Sequence, residues 1–310
     1  MPARRRLLIT GASGLLGLNA ALQLSASYEV VGVVNAHPLK SSLFQVVQKN
    51  LLEDGAVESL IEEVQPHWIF NCAALADVDQ CEKFPHLAQR LNVELPSKLA
   101  QEAAKHRILL VHVSSDTVFD GQKGNYAEDD VPNPISVYAK SKLMGEYAVS
   151  EILPTALIAR TNLIGWGRSA KRSLAEFFFY NLRDRMPVNG FRDVYFCPLL
   201  ANTLAEIISR LVELKAQGLY HVFSKDAMNK YEFGVQLARR FGFDEALITP
   251  LSVEEAGLTA PRSPNLTMNT TKLQQTLGKM LPSVSDALEG FYQQYLQGYP
   301  RRLQKDVVEG

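Results

Sequence analysis

The chain has 310 residues, of which 46% are hydrophobic and 21% charged, a composition that fits a folded globular protein and excludes intrinsic disorder or a coiled coil as the main organisation. Lysine and arginine (32) balance aspartate and glutamate (33), so the basic excess needed to bind along a nucleic acid is missing. Three scattered cysteines, Cys72, Cys81 and Cys197, favour neither a disulfide framework nor a zinc site. No apolar run reaches the roughly 18 residues of a membrane span. We therefore expect a cytoplasmic protein with no metal and no nucleic-acid or membrane partner.

Short apolar segments alternate with longer amphipathic segments in the first half of the chain. The strand-like segments are residues 7–10, 30–34, 68–71, 108–113 and 155–160, and the helix-length segments are residues 15–25, 54–64, 85–106 and 136–151. Strands without a polar face fit a parallel sheet that is covered on both sides. The alternation predicts an α/β fold with a Rossmann-type doubly wound parallel sheet.

The second half of the chain is less regular. It contains helical patterns at residues 174–185, 199–215, 230–241 and 283–295, a strand pattern at 219–223, and a segment rich in Pro, Thr and Asn at 259–271. We expect a dinucleotide-binding domain over residues 1–165, to which residues 199–224 return. Residues 166–198 and 225–310 then form a smaller C-terminal substrate lobe.

A glycine-rich loop follows the first predicted strand. Gly11, Gly14 and Gly17 form a G-x-x-G-x-x-G pattern directly before a predicted helix. Glycine permits the tight turn and lets backbone N–H groups approach a pyrophosphate at the positive end of the helix. In this position the loop predicts a dinucleotide site, although a glycine-rich turn without a ligand has the same pattern.

The second predicted strand ends at Asn35, where sites that prefer NAD usually carry an acidic residue for the adenine ribose. Without that carboxylate, and with His37 and Lys40 close behind, a 2′-phosphate meets no repulsion. The absence of the carboxylate and the nearby cations favour NADP as the cofactor. NAD is the alternative, because a Lys40 that is merely solvated would explain the same pattern equally well.

Tyr138 and Lys142 are four residues apart in a predicted helix and so share a face. An ammonium group nearby favours the phenolate, so we expect it to lower the pKa of Tyr138 toward the range useful for proton transfer. Ser115 lies just after the strand at 108–113, where ligands of open α/β sheets bind, and its hydroxyl can reach a substrate carbonyl. A surface Tyr–Lys pair and a turn cluster are the structural alternatives.

Together these motifs resemble the extended short-chain dehydrogenase/reductase superfamily. Within it, the chain is similar to the dTDP-4-dehydrorhamnose reductase family and to the related regulatory β subunit of methionine adenosyltransferase. The resemblance covers nearly the whole chain. It is carried by the glycine loop, residues 50–52, 71–74, 78–79, 91–93, 114–121, 128–134, 138–142, 160–161, 261–262 and 271–273.

The resemblance implies an NADP-dependent reductase of a nucleotide-linked 4-keto sugar, with Ser115, Tyr138 and Lys142 as its catalytic residues. Tyr138 would protonate the carbonyl oxygen, Ser115 would hydrogen-bond it, and Lys142 would hold the nicotinamide ribose. Asp116 would touch the substrate sugar. The implied cofactor contacts are Gly11, Gly14, Leu15, Leu16, Gly17, Asn35, Asn50, Leu51, Ala73, Ala74, Leu75, Tyr138 and Lys142.

The chain also departs from the reductase pattern. Asn50 stands where the reductases carry aspartate, Leu163 where they carry tryptophan, and Ala12 and Leu15 where their glycine loop carries glutamines. A non-catalytic NADP-binding subunit, whose family resembles this chain at residues 228–232, is therefore an alternative. A sugar-nucleotide epimerase or dehydratase is less favoured, because dehydratases carry a glutamate where Thr117 follows Asp116. A homodimer is left open.

Overall fold

The computed structural model of the chain describes residues 4–168, 173–258 and 260–309. The strands are β1 (Arg6–Thr10), β2 (Glu29–Val34), β3 (Leu39–Ser41), β4 (Gln45–Gln48), β5 (Trp68–Asn71), β6 (Leu109–Ser115), β7 (Leu157–Thr161), β8 (Leu163–Ile164), β9 (Val188–Phe191), β10 (Tyr195–Phe196), β11 (Leu199–Leu200), β12 (Gly218–Val222), β13 (Met228–Asn229), β14 (Ile248–Leu251) and β15 (Val307–Glu309). The helices are α1 (Leu15–Leu24), α2 (Ala56–Val64), α3 (Val78–Lys83), α4 (Pro85–Gln89), α5 (Leu95–His106), α6 (Val137–Ile152), α7 (Leu174–Arg183), α8 (Ala201–Glu213), α9 (Lys230–Phe241), α10 (Thr271–Leu277), α11 (Val284–Leu296) and α12 (Tyr299–Asp306).

The central sheet has the strand order β12-β7-β6-β5-β1-β2-β4, and neighbouring strands pair in parallel. Leu7 in β1 pairs with Val30 on one side and with Trp68 on the other. Strands β2 and β4 are therefore added on one side of β1, and the later strands β5, β6, β7 and β12 on the other side. This change of side creates a crevice at the carboxyl ends of β1 and β5. The predicted Rossmann-type doubly wound sheet is confirmed.

Both faces of the sheet are covered, which explains why β1 has apolar residues at every central position. Leu7 and Ile9 are fully buried in one cluster with side chains of α1 and α8. Leu8, between them, is buried in a second cluster with Leu60 of α2 and Leu99 of α5. Because successive side chains of a strand point to opposite faces, continuous apolar sequence is what a sheet covered on both sides requires. No helix among the described residues is long and apolar enough to cross a membrane.

Some predicted elements differ from those observed. Strand β4 was not predicted, because its polar ends lie at the sheet edge and are exposed. The helix predicted over residues 85–106 is divided into α4, a π-helical turn at Arg90–Glu94, and α5. Pro96 lacks an N–H and so cannot bond the carbonyl of Asn92, which breaks the regular helix there. That carbonyl instead faces Gly145 of α6, where a Cβ would overlap it.

The second half returns to the sheet through β12, which pairs with β7, and through α8, which packs on α1. Residues 199 and 200, predicted as the start of a helix, form β11 and pair with β8. Small two-stranded sheets, β9 with β14 and β10 with β13, accompany α7 and α9. The domain boundaries stay a prediction. Residues 1–3, 169–172, 259 and 310, which the predicted domains and the segment 259–271 include, lie outside the described residues.

Candidate active site

The glycine loop lies between β1 and α1 and packs directly on the chain that follows β5. Gly11 has a φ of +66°, and a Cβ there would stand 2.8 Å from the Cα of Ala73. A Cβ on Gly17 would overlap the Gly11 carbonyl, whereas one on Gly14 would stand 3.2 Å from it. The positive φ and the contact with Ala73 thus explain Gly11, and packing within the loop explains Gly17. Gly14 is the N-cap of α1 and supplies no side-chain cap, which leaves the first-turn amides of the helix without a side-chain acceptor.

Asn35 and Asn50 meet where β2 and β4 end. The exposed Asn35 donates from Nδ2 to Oδ1 of Asn50 at 3.4 Å, and the same oxygen accepts the amide of Leu52 at 3.2 Å. Leu51, which follows Asn50 in the chain, is buried. The structure therefore brings together residues that are fifteen positions apart.

A guanidinium group approaches the same corner. Arg168 donates from Nη1 to the carbonyl oxygen of Pro38 at 3.3 Å. His37 and Lys40, the cations considered in the sequence, are both exposed beside it. Sequence reasoning missed Arg168, because no local pattern links it to Pro38, which lies 130 residues earlier in the chain.

The segment Ala73, Ala74 and Leu75 is tied both to β1 and to helix α6. The hydroxyl of Thr10 accepts the amide of Ala73 at 3.2 Å. The buried Asn92 accepts the amide of Leu75 at 2.9 Å and donates to its carbonyl at 3.1 Å. Asn92 also donates to Ser141 Oγ of α6 at 2.9 Å. The predicted cofactor segment and the helix of Tyr138 are thereby held in a fixed relation.

Ser115 is the last residue of β6, and Asp116 begins a short 3₁₀ turn that Ser115 caps. Ser115 Oγ donates to Asp116 Oδ1 at 3.0 Å and lies 2.9 Å from Thr117 Oγ1. Asp116 is 1% exposed, and its Oδ2 accepts from Asn162 Nδ2 at 2.7 Å. Burial raises the pKa of Asp116, while the hydrogen bonds from Asn162 and Ser115 oppose that rise. Both interpretations of Ser115, as a turn cap and as a hydroxyl at a strand end, agree with this geometry.

Helix α6 carries Tyr138 and Lys142 into the same site. Ser136 caps the helix through the amide of Ala139, at 3.2 Å. Lys142 is 3% exposed and donates from Nζ to the carbonyl of Val113 at 2.7 Å. Burial lowers its pKa to about 8, against the opposing charge of Glu146.

The expected lowering of the pKa of Tyr138 is wrong. Burial raises it to about 12, with the charge of Asp116 acting in the same direction, and the hydrogen bond with Ser115 opposes the rise. The physical reason is that burial disfavours the charged phenolate, and the ammonium of Lys142 donates instead to the carbonyl of Val113.

A buried ion pair lies one turn beyond Lys142. Glu146 and Arg160 have side chains 4% and 3% exposed, and Arg160 donates to both carboxylate oxygens, at 2.9 and 2.7 Å. Ser114 Oγ donates to Glu146 Oε1 at 2.5 Å. Because β6, β7 and α6 each contribute one member, the network fixes the helix against the sheet beside Ser115.

A pocket opens next to Ser115 and Asp116. It is lined by Thr117 and Asn162 from the strand ends, and by Lys230 and Arg262 from the second half of the chain. Sequence reasoning did not single out Asn162 or Lys230 as site residues, although the position of Asn162 directly after β7 was a usable signal. Among the described residues, no group of three or more His, Cys, Asp or Glu side chains is placed to hold a metal ion.

The strand order, the loop after β1 and the Tyr–Lys pair beside the end of β6 define a Rossmann-fold protein of the extended short-chain dehydrogenase/reductase class. More particularly, the family model described as the RmlD substrate binding domain matches residues 5–297, and the chain belongs to that family.

Relatives of two kinds are similar to this chain. Methionine adenosyltransferase 2 subunit beta of Xenopus laevis is 34% identical over 90% of this chain and 84% of its own. The probable low-salt glycan biosynthesis reductase Agl14 of Haloferax volcanii is 31% identical over 93% of this chain and 98% of its own. Among solved structures, the dTDP-4-dehydrorhamnose reductase of Bacillus anthracis in complex with NADP superposes with a TM-score of 0.84, at 26% identity, covering 94% of this chain and 99% of that one.

Proposed function

We propose that the chain is an NADP-dependent reductase that converts a 4-keto sugar, carried on a nucleotide, to the alcohol. The observation that carries the proposal is the convergence of Ser115, Tyr138 and Lys142 at the carboxyl end of β6, beside a pocket lined by Lys230 and Arg262. The similarity to a dTDP-4-dehydrorhamnose reductase solved with NADP and to a probable glycan biosynthesis reductase supports it.

The residues present fit a dinucleotide. Gly14 leaves the first-turn amides of α1 without a side-chain cap, and such amides bind phosphate. The polar pair Asn35 and Asn50 would face the adenosine, with the guanidinium of Arg168 beside the position of a 2′-phosphate. When bound, the nicotinamide would supply the hydride for the reduction.

The protein's own groups would bind the carbonyl and supply its proton. The high pKa of Tyr138, about 12, keeps the phenol protonated at neutral pH, which is the form a general acid requires. The hydroxyl of Ser115 would turn from Asp116 to the carbonyl oxygen and stabilise the charge that develops there. Lys142 would hold the nicotinamide ribose, with its ammonium positioned by the carbonyl of Val113.

The test is the oxidation of NADPH, followed by absorbance, with a panel of nucleotide-linked 4-keto sugars. We expect turnover with at least one of them, and its loss in Tyr138→Phe. Tyr147→Phe is the matched control, because Tyr147 lies on the same helix but is half exposed, away from the site. Absence of turnover with every substrate of the panel would contradict the proposal.

A second candidate is a non-catalytic subunit that binds NADP. The 34% identity to methionine adenosyltransferase 2 subunit beta favours it. Such a protein would bind NADPH tightly and reduce none of the sugars, and its NADPH affinity would depend on Lys142 but not on the hydroxyl of Tyr138. The same assay, combined with an NADPH titration, therefore separates the two candidates.

We infer a cytoplasmic location from the three free thiols, since disulfides are rare where the compartment is reducing. The proposed substrate lobe, residues 166–198 and 225–310, contributes Lys230 and Arg262 to the pocket, which supports its assignment to substrate binding.

A further inference from the structure

Lys230 is held rigidly at the wall of the pocket. It is the first residue of α9, and its amide donates to the carbonyl of Val194 at 3.1 Å. The preceding Asn229, 5% exposed, caps the helix by accepting the amide of Glu232 at 2.8 Å. Because backbone and cap are both fixed, the direction in which the Lys230 side chain leaves the helix is set by the fold.

The ammonium of Lys230 forms no hydrogen bond or ion pair with any residue that the structure describes. Nζ lies over the ring of Phe191, 5.7 Å from the ring centroid. Lys230 is partly buried, and desolvation lowers its pKa. A charge withdrawn from water in a folded protein is normally paired, and one that has no partner in its own chain is paired by a ligand or else destabilises the fold.

A second cation lines the same pocket. Arg262 donates from Nη1 to the carbonyl of Ala260 at 2.9 Å, and its Nη2 lies 3.3 Å from the half-exposed carboxylate of Asp79. The charge of Arg262 acts on Lys230 and lowers its pKa further, so the two cations repel each other. An anion bound between them would remove that repulsion.

Among the described residues, the buried carboxylate whose charge acts on Lys230 is Asp116, and it is already engaged. Asp116 opposes the lowering of the Lys230 pKa, but its oxygens accept from Asn162 and Ser115, and its own pKa is raised by burial. Asp116 therefore compensates only part of the charge of Lys230, while Arg262 has an ion pair with Asp79. Lys230 is left as a cation of the pocket without a hydrogen bond or ion pair among the described residues.

We propose that Lys230 and Arg262 form an anion subsite that binds an oxyanion of the substrate while Ser115 and Tyr138 bind its carbonyl. This proposal rests on the proposed function, which identifies the carbonyl bound by Ser115 and Tyr138 as that of a keto sugar. It extends that function by requiring that the sugar substrate carry an anionic group. Two sources share this chemistry: the phosphates of a nucleotide-linked sugar and the carboxylate of an acidic sugar. Neutral free sugars lack the group and are excluded as good substrates.

The experiment measures binding of inorganic pyrophosphate, dTDP and glucuronate to the NADP-loaded full chain by calorimetry. In Lys230→Met, we expect a loss of about ten- to a hundred-fold in affinity for the anion that binds, the range for one charge-assisted hydrogen bond, and a weaker salt dependence. Lys230→Arg should retain most of the affinity. Lys225→Met is the matched control, because Lys225 is exposed nearby, outside the pocket. Unchanged NADPH affinity, and a Tm no lower than that of the wild type, verify in each variant that the fold is intact.

The outcomes separate the subsite from the proposed function. Lys230-dependent binding of pyrophosphate or dTDP supports phosphate as the anion, and Lys230-dependent binding of glucuronate alone supports a carboxylate. Either result without any NADPH oxidation supports the subsite and contradicts the reductase. Turnover of a nucleotide-linked 4-keto sugar with an unchanged KM in Lys230→Met overturns the subsite and leaves the reductase standing. Equal anion affinities in wild type and Lys230→Met, or no anion binding to wild type, also overturn it.

Discussion

Replacing Lys142 by methionine should stabilise the protein without ligands at neutral pH, although the same change should weaken its binding of NADPH. The reason is that Lys142 is 3% exposed and has no carboxylate of its own, since Glu146 is bonded by Arg160. Methionine has similar length and fits an apolar environment without a charge. Stability and function are therefore expected to change in opposite directions at this position.

The size of the effect follows from the pKa of Lys142, which falls from 10.5 to about 8. At about 1.4 kcal/mol per pH unit, the charged lysine costs the folded state about 3 kcal/mol below pH 8. Loss of its hydrogen bond to Val113 costs the variant about 1 kcal/mol. The net gain is about 2 kcal/mol, or about 4 °C in Tm for a chain of this size.

The gain should depend on pH in a defined direction. Between about pH 8 and 10.5 an unfolded chain keeps the lysine proton that the folded chain has lost, so the stability of the wild type rises with pH in this window. The methionine variant lacks that rise. Its advantage should be complete below pH 8 and should disappear as the pH approaches 10.5.

Thermal unfolding followed by circular dichroism at pH 7, 8, 9 and 10 measures this difference. Lys140→Met is the matched control, because Lys140 lies on the same helix and is exposed, so its Tm should stay close to that of the wild type. A Lys142→Met protein that unfolds below the wild type at pH 7 would refute the reasoning. So would a Tm difference of equal size at pH 7 and pH 10.

Three further changes test the site. Tyr138→Phe removes the transferable proton and should reduce kcat by about 10²- to 10⁴-fold with little change in the Kd of NADPH; a wild-type rate with a 4-keto sugar would end the assignment of the general acid. Asn35→Asp places a carboxylate at the end of β2 and should invert a preference for NADPH over NADH, so an unmoved ratio of the two Kd values would show that Asn35 does not face the adenine ribose. Gly14→Val should abolish NADPH binding in a folded protein, because its side chain would stand at the first turn of α1, and unchanged fluorescence titration would contradict a phosphate site there.

The sequence was sufficient for the sheet because the strands carry their own signal. β1, β2, β5 and β6 are apolar on both faces, and that pattern predicts a covered parallel sheet. β4 has no such signal, since an edge strand with exposed polar ends looks like a loop. The division of the helix over residues 85–106 depends on one missing N–H at Pro96, which a periodic apolar pattern does not register.

The candidate site was predictable where chemistry follows a strand directly, as with Ser115 and Asp116, and where a spacing of four defines a helix face, as with Tyr138 and Lys142. The pKa of Tyr138 was not predictable, because the spacing shows that a lysine shares its helix face but does not show the burial that raises this pKa. Lys230 was not predictable for a similar reason. A lysine that opens an amphipathic helix looks solvated until the fold places it against a pocket.

The charges around the site are arranged unevenly, and this bears on which ligands it can bind. Glu146 is engaged by Arg160, so it compensates only part of the positive charge of Lys142, which is proposed to hold the nicotinamide ribose. Lys230 is in a similar situation at the pocket wall, where Asp116 offsets only part of its charge. Because an incompletely compensated charge that is withdrawn from water destabilises the protein alone and stabilises its complex with an anion, both halves of the site favour anionic ligands. A dinucleotide and an anionic sugar are the pair of ligands that would satisfy both.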